Sequence, residues 1–117
     1  MPDSIKRGDV YIARLYPTEG SEQAGERPVV VVSRDAINRY SPIVVVVPVT
    51  DRANKTRIYP SHAILKAGEG GLAMESVALG EQVRAISKTR LIRHLGHLPP
   101  TSLTAVGTAL KITLDLT

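Results

Sequence analysis

Apolar positions along the chain fall into short β-branched runs, and the punctuation between them is glycine, proline and clusters of polar side chains. Asp9 to Leu15 predicts a first strand, Val29 to Ser33 a second and Ile43 to Val49 a third. The second and third show little alternation, as expected of strands buried on both faces. Weaker strands are predicted around Ile58 to Leu65, Leu72 to Leu79 and Gln82 to Ile86, with Gly68, Gly70 and Gly71 turning the chain between the first two of these. After Pro99 and Pro100 the period changes. Leu103, Val106, Leu110 and Leu114 recur at helical spacing, which predicts an amphipathic terminal helix with proline in its first turn. Gly107 weakens that helix by about 1 kcal/mol relative to alanine, so packing has to hold it. A helical turn at Asp35 to Tyr40 would be capped by Ser33 or Asp35. No repeat or linker divides the chain, so residues 1–117 read as one domain, mainly β, in the α+β or small-barrel class.

Composition narrows the setting. The 117 residues are 43% hydrophobic, enough for one core without staples. Ile43 to Val49 is the longest apolar run, far short of the roughly 20 residues that span a membrane, and Met1 to Arg7 is too polar for a signal segment. The absence of cysteine excludes disulfides and thiol chemistry and suits a reducing compartment, so a cytoplasmic location with no membrane partner is expected. A net charge of +4 and a pI near 9.7 favour a polyanionic partner. Aromatic residues are only 3%, supplied by Tyr11, Tyr16, Tyr40 and Tyr59, which argues against a platform of stacking rings. A nucleic-acid site here must work through hydrogen bonds and charge. His62, His94 and His97 lack metal-ligand spacing and a carboxylate pattern beside them. With no glycine-rich phosphate loop, nucleophile elbow or paired-carboxylate motif, neither metal nor cofactor is expected.

Three segments can carry chemistry. Tyr16 to Gly25 is a long connection for so small a domain, and it ends on Glu26-Arg27-Pro28. The proline biases Arg27 toward extended backbone at the junction of loop and sheet, where a guanidinium can grip phosphate oxygens or simply pair with Glu22 or Glu26. Thr50 ends the third strand before a polar loop holding Arg52, Asn54, Lys55 and Arg57. Its hydroxyl can bind a phosphate or cap a turn, and the basic loop can be an RNA track or a solvated rim. In Glu81-Gln82-Val83-Arg84, strand geometry would put Gln82 and Arg84 on one face, for base and phosphate or for cross-strand pairing.

Taken in order, these segments resemble the MazF/PemK family of toxin endoribonucleases. The resemblance rests on Arg7-Gly8-Asp9-Val10-Tyr11, the loop Gly20-Ser21-Glu22-Gln23-Ala24-Gly25-Glu26-Arg27-Pro28, Pro48-Val49-Thr50, Glu81-Gln82-Val83-Arg84-Ala85-Ile86 and Lys88-Thr89-Arg90-Leu91. The loop motif is the specific part. The resemblance implies a strongly bent antiparallel sheet of SH3-like barrel type with a C-terminal helix, and a homodimer with its RNA groove along the interface. It implies metal-independent cutting of single-stranded RNA, the ribose 2′-hydroxyl attacking phosphorus to leave a 2′,3′-cyclic phosphate and a 5′-hydroxyl. The family's catalytic arginine and threonine fall on Arg27 and Thr50. Glu22 matches a loop acid linked to activity, and Ser21, Gln23 and Gln82 match substrate contacts, with Gly25, Arg52 and Arg84 as further candidates. Arginine is almost always charged, so Arg27 suits a transition-state clamp better than a proton shuttle, while Glu22 and Glu26 both remain open as the base. Position 26 carries glutamate where some members have histidine, so acid–base chemistry that depends on that histidine must differ here.

The implied partner is a cognate antitoxin with an acidic tail, which a basic dimer would attract. Two rivals stand beside this reading. A gyrase poison of the CcdB type shares the fold but uses a tryptophan-containing tail, and this chain has no tryptophan. A nucleic-acid-binding barrel without catalysis would need only the basic surface.

Overall fold

The computed structural model describes residues 4–15, 19–22 and 25–116. Seven strands form an antiparallel sheet: β1 (Asp9–Arg14), β2 (Glu26–Val31), β3 (Ile43–Asp51), β4 (His62–Leu65), β5 (Ser76–Leu79), β6 (Arg84–Ser87) and β7 (Leu91–His97). A short helix α1 (Asp35–Tyr40) precedes β3, and α2 (Pro100–Leu114) follows β7. The strand order is β4-β5-β3-β2-β1-β7, with β6 paired to the first half of β3. The two ends of that order, β4 and β7, do not pair, so the sheet bends without closing.

The valine runs take their meaning from burial on both faces. Val30, Val47 and Val49 point into one core with Val10, Leu65 and Leu98, which Val106 and Ala109 of α2 cover. The intervening Val29, Val31, Val44 and Val46 enter a second core with Tyr11, Ala13, Leu15 and Ile86. Alternation is absent from the sequence because the valines of β2 and most of those of β3 are buried on both faces.

Two prolines sit where the ladders leave gaps. Pro28 pairs with Ile12 on β1, but pairing to β3 begins only at Val29, so the missing N–H faces an unpaired side. Pro48 lies between Val46, the last residue of β3 bound to β6, and Val49, the first bound to β5.

Several expectations are corrected. β2 begins at Glu26, which places Arg27 and Pro28 inside the strand. The predicted strands Ile58 to Leu65 and Leu72 to Leu79 keep only their second halves, and Gln82 belongs to a 3-10 turn, Gly80–Gln82, ahead of β6. β7 was not anticipated: it is mostly exposed, contains Gly96, and shifts register twice against β1, so it carries no clean period. On α2 the buried stripe runs through Ser102, Val106 and Ala109, while Leu114 is exposed. The N-cap of α1 is Arg34, with no side-chain cap; the Ser33 hydroxyl instead accepts the Val45 N–H at 3.0 Å and bonds Asn38.

The turn Glu69–Gly71 spans the gap left by the open sheet. It stands so close to β7 that a Cβ on Gly71 would lie 2.2 Å from the Leu95 carbonyl oxygen, and Gly71 has a φ of +78°. A second tie anchors the turn bearing Gln82. His62 Nδ1 accepts the Tyr59 N–H at 3.1 Å, which puts the ring proton on Nε2, 2.9 Å from Glu81 Oε2. Burial pushes the Glu81 carboxyl up, but the hydrogen bond from His62, its own backbone N–H and Ser61 outweigh it and leave its pKa below the ordinary value.

Replacing Gly71 by Ala combines a left-handed φ with backbone overlap and should destabilise the protein by about 3 kcal/mol in urea unfolding. Gly20→Ala has a similar φ but open space around it and should cost about 1 kcal/mol. A carboxylate with a depressed folded pKa stabilises above the unfolded pKa, and that contribution is lost as pH falls through the folded value. Because the Glu81 side chain is 44% exposed, Glu81→Gln should cost under about 1 kcal/mol at neutral pH. The difference from wild type should shrink steadily as pH falls below the ordinary carboxylate range, measured by urea unfolding across an acid pH series.

Candidate active site

Strand register decides whether Arg27 and Thr50 can meet. β2 and β3 pair at Val29↔Pro48, Val30↔Val47 and Val31↔Val46. The ladder ends there; carried two residues beyond it, the same register would bring Arg27 level with Thr50, and the two residues line one cleft. On the outer sides Arg27 pairs with Ala13 of β1, and Thr50 with Val77 of β5. Leu91, Ala13 and Arg27 form one row across β7, β1 and β2, and Thr50, Val77 and Ile64 another across β3, β5 and β4. By strand parity Arg27 and Thr50 share the face of the second core, each at the end of an otherwise apolar row.

Thr50 is held firmly. Its residue is only 4% exposed, and the Asn54 Nδ2 donates to its Oγ1 at 3.1 Å. Asn54 reaches it from the 3-10 turn Arg52–Asn54, which folds back over β5 through a bond from Arg52 N to Glu75 O of 2.8 Å. Arg27 and Thr50 also contribute to the wall of a cleft of about 240 Å³, whose apolar lining comes from the other face (Ile12, Pro28, Val49, Leu72) and whose polar members include Asp51, Ser76 and Arg93.

Arg84 lies opposite Val46 and so shares the face of Arg27 and Thr50, about 13 Å farther along β3. Its Nη1 donates to Leu15 O at 3.1 Å. With Glu22, Glu81, Gln82 and Val83 it lines a recess of about 200 Å³. Gln82 Nε2 donates to Ser21 O at 3.3 Å, so the turn before β6 and the β1–β2 loop are tied together. Gly25, with φ of +76°, closes that loop by accepting the Leu15 N–H through its carbonyl at 2.9 Å. Gln23 lies outside the described residues.

Two candidate bases separate. Glu22 stands in the recess with Gln82 and Arg84, its Oε1 accepting the Glu19 N–H at 2.6 Å. Glu26 neighbours Arg27 on one strand and so projects from the opposite face. The equal-face reading of Gln82 and Arg84 by strand geometry is replaced by a 3-10 turn followed by a strand, which still gathers both side chains in one recess. The guanidinium of Arg52, expected on substrate, clasps its own turn by donating to Lys55 O.

Asn54 and Arg93 are the residues the sequence did not single out. Asn54 lay in the loop noted for its charges, and the signal that finds it is the need to orient Thr50. Arg93 was missed with β7. The histidines do not converge: His62 serves Glu81, while His97 Nδ1 and His94 Nε2 lie 2.9 and 3.5 Å from Asp9 Oδ1. A carboxylate does stand beside this pair, contrary to expectation, because β1 brings Asp9 across to β7.

The sequence and the fold both have known counterparts. Residues 6–114 match the family model described as the PemK-like, MazF-like toxin of type II toxin–antitoxin systems. The chain is 45% identical over 112 residues to an endoribonuclease MazF from Staphylococcus epidermidis, covering 96% of this chain and 92% of that one. Among solved structures, MazF from Deinococcus radiodurans superposes with a TM-score of 0.81 at 26% identity, covering 97% of this chain and 98% of that one. An endoribonuclease from a mycobacterial species gives 0.78 at 25%, with 97% and 93% covered. Family model, relative and fold coincide over nearly the whole length, and the chain belongs to the PemK-like, MazF-like toxins of type II toxin–antitoxin systems.

Proposed function

We propose that the chain is an endoribonuclease that cuts single-stranded RNA without a metal, through attack of a ribose 2′-hydroxyl on the neighbouring phosphorus. The observation that supports this is that Arg27 and Thr50, of matching parity on neighbouring strands, line one cleft. As the 2′-oxygen bonds to phosphorus, negative charge grows on the non-bridging oxygens. A guanidinium presents a planar fork of donors to that charge, and a hydroxyl held by a rigid strand adds one more. Both are set in place before substrate arrives, which is where such stabilisation gains its strength. The bond to the 5′-oxygen of the next nucleotide then breaks and that oxygen takes a proton from solvent water, leaving a 2′,3′-cyclic phosphate and a 5′-hydroxyl.

Glu22 is assigned the 2′-hydroxyl proton, since Glu26 faces away from the pair. Its bond to the Glu19 N–H occupies only part of a carboxylate's acceptor capacity. Ser21, Gln23, Gly25 and Gln82 are assigned to base and sugar, and Arg52 and Arg84 to flanking phosphates. Duplex RNA keeps its bases stacked and its backbone regular, so it does not fit a site spread over two recesses.

The working form is proposed to be a homodimer, which doubles the net charge of +4. That field attracts RNA and, equally, the acidic tail of a cognate antitoxin that would compete for the same surface.

Purified protein incubated with mixed-sequence single-stranded RNA in EDTA should cut it, and the products should carry cyclic phosphate ends. Arg27→Ala and Thr50→Ala should each slow cutting by about 10²- to 10³-fold while thermal unfolding still shows a folded protein. Identical cutting by wild type and both variants would assign the activity to a contaminant. RNA affinity should fall about tenfold between 50 and 200 mM salt, and Arg84→Ala should lower the log–log slope by about 0.7, measured by fluorescence anisotropy. A slope unchanged by that substitution removes Arg84 from the phosphate contacts.

A further inference from the structure

We infer that Asn54 is a positioning residue that sets the direction of the Thr50 hydroxyl proton. The inference rests on Thr50 acting as a donor to the scissile phosphate. Asn54 Nδ2 lies 3.1 Å from Thr50 Oγ1. A threonine hydroxyl has one proton and two lone pairs, and an amide NH₂ can only donate. With one lone pair engaged by Asn54, the hydroxyl proton must turn away from the amide. Thr50 is β-branched and held within β3, so its Oγ1 cannot swing to another rotamer without disturbing the strand. The rotation of the O–H bond is the remaining freedom, and the Asn54 amide restricts it. Without this restriction the hydroxyl also samples orientations in which a lone pair faces the phosphate, and it has to turn before it can donate.

A purely structural role for the Asn54 side chain has little left to do. The turn that carries it is fastened by Arg52 N to Glu75 O at 2.8 Å, Lys55 N to Arg52 O at 3.0 Å and Arg52 Nη1 to Lys55 O at 2.5 Å. None of these involves the Asn54 side chain. Asn54 itself is exposed, whereas the hydroxyl it reaches is buried. The arrangement lets a surface turn direct a group that the sheet has already fixed. It also gives Arg52 a purpose: its guanidinium holds the register of the turn, and through the turn the amide.

The test reverses the polarity of this hydrogen bond. Asn54→Asp keeps the size of the side chain but replaces the donor by an acceptor, which captures the Thr50 proton. Asn54→Ala removes the contact, and Ala53→Asp adds the same charge to an exposed neighbour in the same turn. Single-turnover cleavage of mixed-sequence single-stranded RNA, with protein concentration varied, separates the rate plateau from half-saturation. Asn54→Ala should lower the plateau about tenfold with half-saturation changed under about threefold. Asn54→Asp should lower it about a hundredfold, and at least tenfold more than Ala53→Asp. In a Thr50→Val background, adding Asn54→Ala should change the rate under about twofold, since the group it directs is gone. Equal plateaus for Asn54→Asp and Ala53→Asp overturn the inference, as does an undiminished effect of Asn54→Ala in the Thr50→Val background. A Thr50→Val variant as fast as wild type sinks the reading of Thr50 itself, an outcome separate from the failure of Asn54.

Discussion

The β1–β2–β3 ladder is the constraint on which the rest depends. Its register pairs Arg27 with Ala13 and puts Arg27 and Thr50 on one face, and the central valines of β2 and β3 are buried on both faces, which holds that register. A slip of one residue would exchange the two valine sets between cores and carry Arg27 to the face opposite Thr50. The energy that forbids the slip is the burial of Val29, Val30 and Val31 against Val46 and Val47, at about 2 kcal/mol for each side chain. The chemistry at the rim thus inherits its precision from apolar packing a few residues away.

Several polar side chains around the candidate site hold backbone. Arg84 on Leu15 O, Gln82 on Ser21 O and Arg52 on Lys55 O each spend a donor on a carbonyl. A guanidinium has five donors in a fixed fork, so such a bond leaves capacity for phosphate while it immobilises the side chain. The loop after β1 and the turn before β6 are joined in this way and present one surface, although they lie 61 residues apart in sequence. Preorganisation of this kind lowers the reorganisation needed at the moment of reaction.

Much of the fold is legible because strands buried on both faces leave dense β-branched runs, as at Val29 to Val31 and Val44 to Val47. The halves of β4 and β5 that failed to form, Ile58 to Ser61 and Leu72 to Glu75, lie where the chain turns, the first holding Pro60 and the second following Gly70 and Gly71. β7 left no pattern because an edge strand with two register shifts need not alternate. Among the site residues, Arg27 and Thr50 stood out by their flanks, Pro28 after one and the polar loop after the other. Asn54 and Arg93 did not, since their importance lies only in what they touch.

By itself the sequence determined the elements with strong local signals: the central strands, the terminal helix with Pro100 at its start, the glycine turn and the family. Those follow from burial and backbone preference, which act over a few residues. Only the tertiary structure decided that residues 27 and 50 line one cleft, that Glu26 is turned away from them while Glu22 shares the recess of Gln82, and that Asn54 bonds a hydroxyl four positions earlier. Such decisions depend on strand pairing and on the parity of each residue in its strand. A shift of a single residue reverses them while leaving composition and hydropathy unchanged.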